Sequence, residues 1–375
     1  MKSKKIYFPN LDGLRFICFL MVFLYHSFAT ENSEIINHPV YHTITRKIFN
    51  NGNLGVNFFF VLSGFLITFL LISERKLTGK IHVGKFWIRR ILRIWPVYFV
   101  AVVFGFIAFP YLKSMFGEIP NETANPYMYV TFLSNFDIIQ NGLPDSSVLS
   151  VLWSVAIEEQ FYLFWPLLLF VLPTKHYWLP FMLIIIGTLI FRIENDTYMI
   201  HEYHTLSCMG DMALGAFGAW LVLFKPSLRK FYEKLPIYGS ITIWVVFIGF
   251  YLFKDETISQ VYWLRIFERM IFGIIALSII FEQNYTQRSL FKFSNWTLIS
   301  YLGTISYGLY TYHFIGILIV TTLTSQFGAN QELWQVLILE TTLAILVTIG
   351  ISIFSYKWFE RPILKFKKRF AYISK

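Results

Sequence analysis

The chain has 375 residues, of which 56% are hydrophobic and 20% aromatic but only 14% charged; its formal net charge is +10 and its mean hydropathy +0.55. A soluble domain carries about 25% charged residues, so the composition excludes a chain with a fully solvated surface and points to a membrane protein. Two cysteines, Cys18 and Cys208, exclude a multi-bridge disulfide framework. A basic balance at this hydropathy reads as the bias of cytoplasmic loops, with no nucleic acid as partner.

Met1 to Asn10 is read as no cleavable leader, because the apolar run after it contains Asp12 and Arg15 and lacks a small-residue cleavage site. Apolar segments that suit membrane crossings lie near 11–30, 53–72, 91–109, 148–172, 178–192, 204–224, 237–253, 264–281, 297–320 and 333–356. The expected fold is therefore all-α and polytopic, with about ten transmembrane helices. Ten crossings put both termini on one side, and 24 of the 32 Lys and Arg residues fall in the segments on that side, against five opposite. This asymmetry marks it as cytoplasmic.

An ionisable side chain within a span is costly unless it meets a partner or a wet cavity, so each is a functional candidate. The first segment carries Asp12, Arg15 and His26. Arg15 and His26 are eleven positions apart, which places them within about 20° of one helix face and about 16 Å apart along the axis. His26 reads either as a general base, since imidazole titrates near neutrality, or as a hydrogen-bonded interfacial histidine. Asp12 and Arg15 equally suit a structural i,i+3 contact.

In the second segment, GVNFFFVLSGFLIT, Ser63 and Gly64 interrupt an aromatic run. Small residues there serve close helix packing or let something thin pass. Residues 73–90 form an inner loop long enough for an amphipathic surface helix. FWIRRILRIWPVY, residues 86–98, then gathers Arg89, Arg90 and Arg93 on a basic edge that suits either positive-inside anchoring or recognition of phosphate. The outer loop 110–147 is acidic, and Tyr127 to Phe136 within it reads as an interfacial or re-entrant stretch.

The fourth segment opens LWSVAIEEQFY, which sets Glu158 and Glu159 in the outer half, at the depth of His26. One of them could orient the imidazole; the alternative is pairing with a helix dipole or an arginine from another span. Adjacent carboxylates point 100° apart, so the two do not share a partner. Asp211, between Gly210 and Gly215, reads as a third polar member of an outer cavity. His313 follows Tyr307, Tyr310 and Tyr312, in a packing seam or a substrate site. His38 and His42 are i,i+4 without further ligands, so no metal is indicated.

These blocks together resemble the membrane acyltransferase-3 family, bacterial multi-span enzymes that O-acylate envelope sugars. The resemblance rests on FPNLDGLRF with YHSF (Asp12, Arg15, His26), GVNFFFVLSGFLIT (Ser63, Gly64), FWIRRILRIWPVY (Arg90, Arg93), LWSVAIEEQFYLFWP (Glu158, Glu159), YLGTISYGLYTYHF, and Phe359 to Pro362, in order over about 8–365. It implies one transmembrane acyltransferase domain over 1–375, in the stand-alone form without a fused esterase-like domain, multi-pass in the bacterial cytoplasmic membrane. It also implies acetyl-CoA or another acyl-CoA as donor substrate, no tightly bound cofactor, and a hydroxyl of an envelope sugar or exopolysaccharide as acceptor. Membrane lipids surround such a protein, and a homo-oligomer or polysaccharide-assembly partners fit it. One departure stands out: Met209 occupies the position, two before Asp211, where the family often has arginine.

The expected mechanism joins the two ends of the first span. Arg15, Arg89, Arg90 and Arg93 hold the donor's phosphates, its arm passes Ser63 and Gly64, and His26 deprotonates the acceptor with Glu159 or Glu158 orienting it. Asp12, Asp211 and His313 are structural or acceptor-side candidates. The competing readings are a transporter or flippase of an envelope glycan precursor, and an acyltransferase using succinyl or longer donors.

Overall fold

The computed structural model describes residues 4–5, 7–370 and 373–374; Lys2 and Lys375, which the charge census counts, lie outside the described residues. Among the described residues, ten long helices make up the architecture: α1 (Pro9–His26), α2 (Leu54–Thr78), α3 (Val83–Val103), α4 (Leu152–Val171), α5 (Trp178–Glu194), α6 (Thr205–Phe224), α7 (Ile237–Thr257), α8 (Tyr262–Tyr285), α9 (Ser306–Gln326) and α10 (Thr341–Ser355). Eight helical segments among them are long and apolar enough to cross a membrane: Leu54–Thr78, Val83–Met115, Ser147–Val171, Thr174–Glu194, Thr205–Phe224, Ile237–Thr257, Ser306–Gln326 and Gln335–Lys367. The chain is an all-α, polytopic membrane protein. Helices α1 and α8 pack among these segments and carry the charges that set them apart: Asp12 and Arg15 on α1, and Arg265, Glu268, Arg269 and Glu282 on α8. The two-residue strands Lys4–Lys5 and Ile373–Ser374 pair in parallel and bring the chain's ends together.

Several boundaries differ from the sequence reading. Helix α2 runs on to Thr78 and stops where Gly79 adopts φ +79°, its N–H closing on the Arg75 carbonyl. Helix α3 already starts at Val83, so residues 73–90 are the ends of two spans rather than a surface helix. The apolar stretch 297–320 is split at Ile305 into a short helix, Thr297–Thr304, and α9. The short helix lies against α1 so closely that a Cβ on Gly303 would sit 1.7 Å from the Asp12 carbonyl oxygen. The aromatic stretch of the 110–147 segment folds back onto protein: Phe132, at φ +57°, packs on Tyr98, and Tyr129 is fully buried.

The tightest joint is between α2 and α6. A Cβ on Gly64 would lie 2.0 Å from the Met212 carbonyl oxygen, and one on Gly215 would lie 2.1 Å from that of Val61. Two backbones in direct contact leave no side-chain layer to shift, and the joint fixes α2 for the polar contacts on its other face. Beyond it, a cleft of about 470 Å³ between α4, α5 and α6, lined by Phe161, Trp165, Leu168 and Met209, is wholly apolar and suits a lipid chain.

Candidate functional site

Helix α1 ends at His26, and its imidazole borders a cavity of about 280 Å³. The lining mixes aromatic side chains, Trp153, Tyr25, Tyr198, Tyr203, Tyr310 and Phe314, with the hydroxyls of Ser147 and Ser150, the amide of Asn53 and the carboxylate of Glu202. His26 Nδ1 lies 2.9 Å from Nε2 of His313, whose own Nδ1 lies 2.6 Å from the Tyr310 carbonyl oxygen. His313 is fully buried against Phe19, Tyr310 and Phe314. The histidine of the packing seam is thus the partner of the histidine at the cavity.

The two glutamates bond elsewhere. Glu158 accepts a 2.6 Å hydrogen bond from Ser63 Oγ, and Glu159 accepts one of 2.9 Å from Trp95 Nε1; neither bonds His26. Position along α4 explains this. Val151 and Trp153 line the His26 cavity, and Glu158 and Glu159 come five to eight residues later, about 8–12 Å further along the helix. The glutamates therefore belong to a second polar site, nearer the other end of the bundle.

That second site is the arginine recess. Arg15 bonds Asp12 at 2.7 Å, and Asp12 also accepts from Tyr7. Arg90 lies over the rings of Phe86 and Tyr162, and Arg93 stands close enough to Arg15 for the two charges to interact. Arg90 and Arg93 form no ion pair or hydrogen bond among the described residues, while both act electrostatically on Glu158. Arg15, Ser63, Arg90, Arg93, Glu158 and Glu159 are all half-buried. One oxygen of Glu159, Oε1, is buried without a partner. Guanidinium groups without an ion pair within a span are too costly to face lipid, so these two charges turn toward protein.

Two of the residues expected in the recess are otherwise engaged. Arg89 bonds Glu74 at 3.0 Å and the Phe370 carbonyl at 2.6 Å, tying α3 to α2 and to the C-terminal segment. Gly64 is filled by the backbone of α6, so it lines no passage; Ser63, one residue earlier, turns to the opposite side and meets Glu158 and Tyr162.

Between the two groups, Ser154 precedes Glu158 by four residues on α4, and its hydroxyl lies 2.8 Å from Tyr310 Oη. Tyr310 borders the His26 cavity and offers its carbonyl to His313. Among the described residues no hydrogen bond links Ser154 to Glu158 or Ser63.

Asp211 lies outside that cavity. It is 3% exposed and paired to Arg269, with Nη2 and Nε at 2.7 and 3.1 Å from its Oδ2. Its cation comes from α8, whereas position 209, two residues earlier on α6, points about 200° away and borders the apolar cleft. Arg269 Nη1 stands 3.6 Å from Glu202, a lining residue of the His26 cavity, so Asp211 touches that cavity only through Arg269. Glu202, Arg269, Trp95 and Tyr162 escape the sequence reading as site residues. Arg269 carries the usable signal, since it is a charge in the middle of an apolar segment. Among the described residues no group of three or more His, Cys, Asp or Glu side chains could hold a metal ion.

Comparison with known proteins assigns the chain to a family. The family model described as an acyltransferase domain, of the acyltransferase-3 type, matches residues 8–357. The peptidoglycan O-acetyltransferase OatA of Listeria monocytogenes is 29% identical over 385 residues, covering 96% of this chain and 56% of that protein. The O-acetyltransferase OatA of Staphylococcus aureus (strain NCTC 8325 / PS 47) is 28% identical over 390 residues, covering 98% of this chain and 59% of that protein. The chain thus spans less than three fifths of the length of these relatives. No solved structure matches it. The match over nearly the whole chain, on helices of membrane-spanning length, shows that the protein is a cytoplasmic-membrane member of the acyltransferase-3 family.

Proposed function

We propose that the protein is a membrane O-acyltransferase that carries an acyl group, acetyl in the first instance, from acyl-CoA at the arginine recess to a hydroxyl of an envelope sugar in the His26 cavity. One observation carries this reading: the half-buried guanidinium groups of Arg90 and Arg93, without a carboxylate hydrogen bond among the described residues, stand near Arg15 on the same helix that ends in His26 at its cavity. The relatives named as O-acetyltransferases support the acetyl group and the glycan acceptor. Aromatic rings and hydroxyls around the cavity suit a sugar, whose C–H faces stack on rings while its hydroxyls bond polar groups. The pairing of the chain's ends and the basic bias of one set of loops support ten crossings, both termini cytoplasmic and a single domain.

In the reaction, the acceptor O–H gives its proton to His26 Nε2 as its oxygen attacks the thioester carbonyl. The new C–O bond forms, the C–S bond breaks, and the departing thiolate takes the proton back from Nε2, leaving an ester, free CoA and the original imidazole. Arg90, Arg93 and Arg15 hold the donor's phosphates through charge-assisted hydrogen bonds. Glu158, Ser63 and Tyr162 line the way between the two ends.

Purified protein given radiolabelled acetyl-CoA and a glycan acceptor tests this. Transfer is expected from the wild type and none from His26→Ala at equal amounts of folded protein. Normal transfer by a folded His26→Ala variant would remove His26 from the mechanism. A protein that consumes no thioester would be a transporter instead.

A further inference from the structure

We infer that His313 is a positioning residue which fixes the proton on Nδ1 of His26, so that Nε2 presents a bare lone pair to the cavity. The inference rests on the reading of His26 as base but is derived from hydrogen-bond chemistry alone. A carbonyl oxygen only accepts, so at 2.6 Å from the Tyr310 carbonyl the His313 Nδ1 must carry the proton. In a neutral imidazole the other nitrogen is then an acceptor. His313 Nε2 therefore accepts, and His26 Nδ1, 2.9 Å away, must donate. That leaves His26 Nε2 unprotonated, and it has no hydrogen-bond partner among the described residues.

The geometry favours this bond over simple ring stacking. The ring centroids are 5.1 Å apart while the two nitrogens are 2.9 Å apart, so the nitrogens point at each other. The ring planes differ by 19°, which aligns the N–H of one ring with the in-plane lone pair of the other. The opposite arrangement needs a doubly protonated His313 donating to His26. His313 is 0% exposed, packed among Phe19, Tyr310 and Phe314, and no carboxylate lies within ion-pair distance of it among the described residues. A cation buried there would be unpaired, at a cost that the neutral chain avoids.

The backbone carbonyl thus does through a second imidazole what a carboxylate does in many base–orienter pairs. When His26 takes up the acceptor's proton, its Nδ1–H stays on His313 and the ring does not rotate. Neither glutamate of α4 is required for this.

The test is the ¹⁵N spectrum of histidine-labelled protein, with the His26 resonances identified by subtraction of the His26→Ala spectrum. The wild type is expected to show His26 with a protonated Nδ1 and a bare Nε2. His313→Leu should abolish that signature and lower kcat about 100-fold or more, with both KM values within about threefold. His313→Gln, whose side-chain oxygen can accept the same N–H, should restore the signature and bring kcat to within about 10-fold of wild type. A protonated Nε2 in the wild type, an unchanged His26 signature in His313→Leu, or failure of glutamine to rescue a folded protein would overturn the inference. Should His26→Ala retain transfer, the base reading fails, while the spectra still judge the pairing.

Discussion

Replacing Arg93 with glutamine separates two roles for the arginine recess, because they differ in sign. Substituting an anchoring arginine removes a stabilising interaction, and the structure gives Arg93 none of that kind. It forms no ion pair or hydrogen bond among the described residues; the charges acting with it are the cations Arg15 and Arg90 and the carboxylates Glu158 and Glu360. With no ion pair or hydrogen bond to lose, the unfolding midpoint should stay within about 2 °C of wild type. A hydrogen bond to a charged group contributes about 1.5–3 kcal/mol, so a donor that no longer has a guanidinium at one of its phosphates should bind about 10- to 150-fold more weakly. Equilibrium dialysis with labelled acetyl-CoA reads the affinity directly, and kinetics at varied donor and varied acceptor should show the rise in KM for the donor alone. Unchanged donor affinity together with a lowered midpoint would show that Arg93 is structural and that the recess binds no phosphate.

The buried pair on α6 and α8 should behave oppositely. Arg269→Met leaves Asp211 at 3% exposure without its cation and should cost about 3–5 kcal/mol, while the double variant Asp211→Leu with Arg269→Met should regain most of it in the same unfolding assay. Glu202→Gln, at the wall of the His26 cavity, should raise the acceptor KM about 10-fold without changing that of the donor, as read by initial rates at varied glycan. Asp145, outside the candidate spans, clips its segment to Lys113 at 2.8 Å. Burial alone would raise its pKa, but the Lys113 ammonium and the Asn121 N–H outweigh that and hold it below the usual carboxylate range. The clip is therefore complete above the unfolded value of about 3.9 and lost only as pH falls through the lower folded one. Protease cleavage near residues 116–125 should stay slow down to about pH 4 and speed up below it, whereas Asp145→Asn should open the segment at neutral pH.

Much of the architecture can be read from hydropathy, because crossing a bilayer demands runs of apolar side chains. Stretches 178–192, 204–224 and 237–253 lie close to α5, α6 and α7. Helix ends are harder where a span continues beyond the apolar run. Arg75 and Lys76 look like loop residues, yet they extend α2 to Gly79, and Phe86 to Arg93 is the start of α3. For the site, periodicity along one helix is reliable: Arg15 and His26 do lie on the single helix α1. Partners drawn from other helices are not legible. Charge and span alone point Glu159 or Glu158 toward His26, but depth is set by where α4 begins, which composition does not fix to within several residues. His26 turns to His313, 287 positions away, and Asp211 finds Arg269, 58 positions away. No one-dimensional spacing encodes either pair.

A carboxylate buried between α6 and α8 requires a cation within hydrogen-bond reach. That cation, Arg269, comes from α8, and it brings a second contact, the 3.6 Å approach to Glu202 at the His26 cavity. The spacing of Arg15 and His26 is governed differently. The two ride on one continuous helix, so the span between the proposed phosphate site and the proposed base, about 16 Å, is set by helical rise and not by a loop. Ser63 is held in register by the Gly64–Met212 backbone contact on the next face of α2. On the proposed reading, acyl transfer needs the thioester and the hydroxyl brought together at His26, and the fixed spacing of Arg15 and His26 along one helix supports that.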